Sequence, residues 1–324
     1  KEQVSRDNGG GGNWGAESGA DINQIKTISQ ATLEEADAAR ARGEVRVPED
    51  SNTLKEAVDR VHGDDQLIPC NANTVLVVGT NVVARFKTTG AFYPGKVSSF
   101  NTNAGTCDVV FDDGDERKDT PLSEVKIKQH NKNSLTTIVV GKGEHQIDGD
   151  FLEIASAMNI VGDPGVPQSE IVVVGGIQFE YGIQGICHLQ HLTLRQAKWF
   201  GVNGESSFTM EDVLVEQCGY HGVLADGTGV IGRCTNVEVR KCGYSGVVAD
   251  NSASITLIGA KSTVHHNCTK GSSDEYGLTV AGSSSSIQLV YPLTKEQVST
   301  DNGGGGNWGA KDGGDINQIK TITE

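Results

Sequence analysis

The chain carries 42 acidic and 27 basic residues among its 324, a formal charge of −15. Nucleic acid and anionic membrane surfaces both demand a basic face, so neither is expected as the main partner. No apolar run reaches the roughly 18–20 residues that span a bilayer, and no signal peptide is legible at the N-terminus. A chain beginning at Lys1 is expected to be a fragment or a processed form. The seven cysteines contain no CxxC pair. That argues against a disulfide framework or a zinc ribbon, and for free thiols in a reducing, intracellular compartment. Glycine is abundant at 42 residues while aromatics make up only 5%, a composition suited to thin repeated layers rather than one bulky core.

In chain order, residues 1–30 come first, as KEQVSRDNGGGGNWGAESGADINQIKTISQ. The same segment returns at residues 295–324 as KEQVSTDNGGGGNWGAKDGGDINQIKTITE, identical at twenty-four of thirty positions with an offset of 294. Identity held in register over that length is a duplication. Residues 1–30 are expected to be the tail of a preceding copy of one unit, so that the chain is one repeat plus an overlap. Trp14 and Trp308, two of only three tryptophans, are the candidate assembly anchors, each flanked by glycines that let backbone approach closely. A linker helix is expected over 31–43, with Thr32 as cap, Glu35 three residues on and Gly43 as its stop. Residues 44–67 then give a strand and a short amphipathic helix whose apolar face is Leu54, Ala57, Val58 and Val61.

Residues 75–128 interrupt this opening with a different character. VVARF, FYPGKV, CDVVFDDGD and LSEVK predict five short strands joined by Gly- and Asp-rich turns, a barrel of SH3-like size. The pattern resembles a Tudor-like or Agenet-like β-barrel. That resemblance implies an aromatic cage holding a methylated Lys or Arg by cation–π attraction. It would be built here by Phe86, Tyr93 and Phe111, with Asp113 where a fourth aromatic is frequent and Asp115 at the polar position. Read as residues alone, the three rings equally well fill the core of a small barrel.

From 135 to 294 the chain repeats itself. FGVNGESSFTMEDVLVEQC, HGVLADGTGVIGRCTNVEVRKC, SGVVADNSASITLIGAKSTV and YGLTVAGSSSSIQLVYPL align on Gly201, Gly222, Gly246 and Gly277, spaced by 21, 24 and 31 residues. Each glycine is followed by an apolar residue: Val202, Val223, Val247 or Leu278. Cys218, Cys242 and Cys268 form a second column. LTL, VLVEQ, VEVRK and ITLIG read as short strands. Several such strands per repeat suit a coil that advances one strand spacing, about 4.8 Å, so that equivalent side chains stack. The glycines are expected at a corner with a sharp turn or a positive φ, and the cysteines as a small apolar stack inside.

With the opening at 44–67, these repeats resemble a right-handed parallel β-helix of the pectate-lyase-like superfamily, in the short-coil subgroup also seen in F-box-associated β-helices. The expected fold is all-β: residues 44–67 plus 135–294 as the β-helix with a capping helix, the Tudor-like barrel as an insert, and a duplicated segment at each end.

The resemblance implies polysaccharide lyases or hydrolases as one function class. Glu216, Glu238 and Arg240 on successive coils are the residues that could supply acid, base and cation, although outward charges on strands more simply make a solvated face. His265 and His266 are neighbours on a strand and expected to point to opposite faces, so together with His221 they predict no metal site. Asn267-Cys268-Thr269 is a formal glycosylation sequon that overlaps the cysteine column and is expected to be unused. The GGGG runs lack the flanking strand and helix of a phosphate loop. No catalytic residue, metal or cofactor is expected. Three functions compete: a non-enzymatic scaffold, a carbohydrate-active enzyme, and a methyl-lysine/arginine or peptide reader. The partners of the scaffold would be neighbouring copies, met through the duplicated segments, and a peptide at the insert. The duplication favours the scaffold, because repeating an exit segment at the entrance serves no chemistry.

Overall fold

The computed structural model describes residues 43–63, 65–71, 74, 76–86, 91–101, 104–130 and 136–323. The N-terminal copy with Trp14, and the linker helix expected over 31–43 apart from Gly43, lie outside these residues.

Short β-branched runs between glycines favour strands, and here they stack in parallel columns. The larger sheet has 14 strands. Its first column runs from Glu44–Val47 through Thr137–Val140, Asn159–Gly162, Ile231–Thr235, Ser254–Ile258 and Ser286–Val290 to Ile319–Ile322. A second column contains Gly143–Gln146, Ile171–Val174, Glu238–Arg240, Thr263–His265 and Ser299–Thr300. The long strands Cys187–Arg195 and Phe208–Glu216 pass through both columns and tie them into one sheet. A separate seven-stranded sheet forms the third column, from Leu152–Ile154 to Gly306–Lys311. Every pairing in these columns is parallel, and the chain visits the columns in turn before returning one layer further on. The fold is all-β with large parallel sheets, an arrangement compatible with a β-helix-like fold.

Register confirms the apolar column read from the repeats. Val202 pairs with Val223, Val223 with Val247, Val247 with Leu278, and Leu278 with Trp308. The four aliphatic members are fully buried. Each such side chain removed from water contributes about 1.5–3 kcal/mol, repeated once per layer.

The glycines before them are required for a reason other than the one expected. None of the four has a positive φ. Instead, a Cβ at Gly222 would lie 2.3 Å from Val239 Cγ1, and one at Gly201 2.9 Å from Cys218 Sγ. The repeated obstacle is a valine of the second column, Val215, Val239 or Val264, whose Cγ1 would lie within 2.4 Å of a Cβ at Gly201, Gly222 or Gly246. Positive φ occurs at other corners, among them the one after the second column, where Gln196, Gln217, Lys241, His266 and Asp301 adopt it.

The front of the stack is closed as expected. The helix Leu54–Gly63 buries Leu54, Ala57, Val58 and Val61 against the first layers. The far end differs from expectation. Residues 295–324 read as a segment following the stack, but residues 295–323 build one more layer of it. Ser299–Thr300 pairs with Thr263–His265, Gly306–Lys311 with Tyr276–Ala281, and Ile319–Ile322 with Ser286–Val290.

The insert is a six-stranded antiparallel sheet, in the order Asp65–Pro69, Val125–His130, Asn81–Arg85, Phe92–Asn101, Thr106–Phe111, Glu116–Pro121. Asp65–Pro69 pairs with Val125–His130, so its first strand lies in the stretch read as the opening of the stack. The sheet has its own core of Leu76, Val82, Ala84, Val97, Val109, Phe111, Leu122 and Val125. Asn81 Nδ2 donates to Glu180 Oε2 at 3.2 Å and to the Tyr181 carbonyl at 3.3 Å, anchoring it to the stack.

Val223→Asp would place an unpaired carboxylate between Val202 and Val247, costing several kcal/mol. Thermal melting followed by circular dichroism should show loss of the folded stack. A melting temperature equal to that of the parent would contradict the register.

Candidate functional site

In the antiparallel module the three predicted cage aromatics do come together. The ring of Phe86 lies 6.3 Å from Tyr93 and 5.3 Å from Phe111, edge-on to both. Their environments differ: Phe111 is 3% exposed within the module core and Tyr93 is 48% exposed, with Phe86 half-buried between them. Asp113 and Asp115 sit in an exposed turn, where the Asp115 amide donates to Asp113 Oδ1 at 3.1 Å. The arrangement is a graded aromatic cluster, one side anchored in the core and one side open. Sequence reasoning missed a neighbouring site. The Arg85 guanidinium lies 5.0 Å and the Lys126 ammonium 4.3 Å from the centre of the Phe92 ring. Phe92 is the cross-strand partner of Arg85, a pairing that appears only once register is known.

On the stack, the residues just before the glycine column form two rows. One row is Trp199, Tyr220, Tyr244 and Glu275, and the other Phe200, His221, Ser245 and Tyr276. Ring centres of Tyr220 and Tyr244 are 4.4 Å apart, and those of Trp199 and Tyr220 6.5 Å. Trp199 is 45% exposed. Lys198 and Lys270 place ammonium groups over Trp199 and Tyr244, at 5.8 and 5.2 Å.

Further along, the rows turn from aromatic to polar and become buried. Ser245 Oγ donates to Glu275 Oε2 and lies 2.8 Å from Thr279 Oγ1. Lys311 Nζ, from the last layer, donates to Glu275 Oε1 at 2.6 Å. His221 Nδ1 accepts from the Ser245 amide at 3.1 Å. That bond needs the Nδ1 lone pair, so the 3.6 Å approach of Nδ1 to Glu275 is a neutral contact rather than an ion pair. Burial, with the Lys311 charge nearby, lowers the His221 pKa to about 3. Burial also opposes the charge on Lys311, but Glu275 outweighs it and holds the ammonium above its ordinary pKa.

The acidic cluster considered for catalysis is saturated. Arg195 Nε donates to Glu216 Oε1 at 2.7 Å and Arg240 Nε to Oε2 at 2.9 Å. Burial raises the Glu216 pKa, yet these two guanidiniums outweigh it and keep the carboxyl below its usual range. Glu238 Oε1 accepts from Arg240 Nη1 at 2.8 Å and meets His265 Nε2 at 3.1 Å. A general acid or base works best with a pKa near the working pH, and Glu216 is pulled the other way. Beside this ladder, Gln168, His191, Asp212, Asn236, Glu238 and Lys261 line a cleft of about 310 Å³.

One expectation is overturned here. His265 and His266 do not diverge, since their Nδ1 atoms are 2.7 Å apart. His266 has a φ of 56°, which breaks the strand alternation on which the expectation rested. Among the described residues, no group of three or more His, Cys, Asp or Glu is placed to hold a metal.

All seven cysteines are free and buried. Burial pushes the thiols of Cys187 and Cys234 up to about 12, which leaves little thiolate for reaction. Asn267 is 1% exposed, and its amide is spent inside the stack. Nδ2 donates to the Val239 carbonyl, and Oδ1 accepts from the Cys242 amide. Trp308 is half-buried against the core at the far end, with Lys295 Nζ 5.3 Å from its ring.

Comparison with protein-family models, with curated proteins and with solved structures finds no match to this chain.

The buried histidine makes a pH prediction. Unfolded His221 takes a proton below about 6.5, whereas folded His221 resists it down to about 3. Its contribution to stability is therefore full above pH 6.5 and declines as pH falls toward 3, by up to about 1.4 kcal/mol per pH unit. His221→Gln keeps an acceptor for the Ser245 amide without the titration. Denaturant melts from pH 7 to 4 should fall less steeply for this variant than for the parent. Parallel profiles would contradict the assignment.

Proposed function

We propose that the chain is a non-enzymatic structural unit of a tandem array or polymer. On this reading the stack is a right-handed parallel β-helix of pectate-lyase-like type, and the antiparallel module is a Tudor-like barrel displayed from its side as a binding head. One observation carries the proposal: residues 295–323 build a complete layer, with a strand in each column. A segment that encodes a layer and recurs at residues 1–30 is what a series of like units sharing their joints would carry. Neighbouring units would meet through these duplicated segments. The saturation of Glu216 by two arginines, and of Glu275 by Lys311 and Ser245, supports a holding role over a chemical one.

The binding head would take a peptide across Phe86 and Tyr93, with a methylated Lys or Arg as the side chain suited to a half-open aromatic cluster. One observation favours a second reading, a carbohydrate-active or carbohydrate-binding β-helix. The row of exposed Trp199 and half-buried Tyr220 and Tyr244 gives successive aromatic rings, one per layer.

Two experiments test these statements. In a chain of two units that share one duplicated segment, negative-stain images should show a single fixed spacing between units. A broad spread of spacings would contradict the array. For the head, titration with trimethyl-lysine peptides should show binding that Tyr93→Ala weakens at least tenfold without changing the melting temperature. No binding by the parent would retire the methyl-reader role. Release of unsaturated sugars from acidic polysaccharide would instead establish the enzyme reading.

A further inference from the structure

The two copies of the duplicated segment differ at six positions: Arg6/Thr300, Glu17/Lys311, Ser18/Asp312, Ala20/Gly314, Ser29/Thr323 and Gln30/Glu324. Asp312 and Thr323 are exposed, and Thr300 is half-buried on an outer face beside His265. Two of the six meet the layer beneath in a way that depends on their identity.

Lys311 is the first. Its ammonium enters a polar recess built by the preceding layers and donates to Glu275 Oε1 at 2.6 Å, while Ser245 donates to Oε2. The side chain of Glu275 is only 5% exposed, so water has little share in balancing its charge. Thr279 Oγ1 closes the recess at 2.8 Å from Ser245 Oγ, and His221 Nδ1 stands 3.6 Å from Oε2 with its lone pair committed to the Ser245 amide. Among the described residues, the one cation that answers Glu275 in this recess comes from the tail. The N-terminal copy carries Glu17 at the matching position, which would set one carboxylate against another in a buried site. Two carboxylates so placed cannot both remain ionised without strong repulsion.

Gly314 is the second. A Cβ there would lie 2.4 Å from the Val280 carbonyl oxygen and 3.1 Å from the Lys311 carbonyl oxygen. Both obstacles are backbone, with no flexible end to move aside. The N-terminal copy carries Ala20 at that place. The two incompatibilities are independent, one electrostatic and one steric, and they fall on the same seat.

We propose that the recess formed by His221, Ser245, Glu275 and Thr279 is a lysine-recognition site that selects which tail completes the stack, accepting residues 295–324 and rejecting the otherwise similar residues 1–30. The duplicated segments are therefore not interchangeable. Matching of residue 311 to residue 275 acts as a charge code between tail and seat, and the proper seat for residues 1–30 is one that offers a cation or a neutral group opposite Glu17. This rests on the scaffold reading only in treating residues 1–30 as a tail; the discrimination at Glu275 concerns this chain alone.

The test uses the full chain carrying Lys311→Glu with Gly314→Ala, which gives its own tail the two features of the other copy. Uncompensated burial of Glu275 should lower the melting temperature on the order of 10 °C. A thirty-residue peptide of sequence 295–324 in excess should restore most of the loss, and the peptide of sequence 1–30 should restore none. Should the double variant not fold, the same two peptides are scored on Lys311→Gln. An unchanged melting temperature, or equal action of the two peptides, would overturn the proposal. Variable spacing in the two-unit images would count against the array and leave this result standing, so the two failures are distinguishable.

Discussion

In-register parallel stacking is the constraint on which the rest of this structure depends. Parallel strands lie about 4.8 Å apart, so each residue rests on its own counterpart one layer away. A position can be filled only by a side chain that tolerates its like. Val202, Val223 and Val247 do so by packing. In the second column charged residues do so by alternation, where Arg195, Glu216 and Arg240 pair in sequence. The interior is narrow, so the side chains of Val215 and Val239 leave no room for a Cβ at Gly201 or Gly222.

The same constraint makes the ends of the stack special. The first layers present an apolar end that the helix Leu54–Gly63 covers. The last layer presents Trp308 and Ala310, partly buried, with a strand edge in each column that has a neighbour on one side among the described residues. Exposed strand edges invite pairing. Selection at the seat of the last layer would decide which segment completes a stack, and a lysine meeting a buried carboxylate offers that selection where an aliphatic contact would not.

Much of this was legible in the sequence, where a column repeats a residue type. The glycine, valine and cysteine columns appear as spaced identities, and the capping helix as an apolar face at helical spacing. The last layer was not legible, because it replaces the aliphatic repeat residue with Trp308 and opens with the turn-rich stretch from Asn302 to Asn307. The first strand of the module, Asp65–Pro69, was misassigned because its partner lies about sixty residues on, in Val125–His130. Glu275 and Lys311 could not be paired by inspection, since their contact crosses 36 residues. The divergence expected of His265 and His266 failed at a single left-handed residue, which strand periodicity does not reveal. In the module, the three cage aromatics were found together, yet only burial separates the core ring of Phe111 from the open ring of Tyr93.

The central claim is that the duplicated segment encodes a layer of the stack, and hydrogen exchange at its backbone tests that most directly. The account predicts that amides of Gly306–Lys311 bonded to the strand beneath exchange as slowly, within about a factor of ten, as those of Tyr276–Ala281, since both belong to one cooperative stack. Exchange at the rate of an unstructured peptide across residues 306–322, with Tyr276–Ala281 still protected, would contradict it.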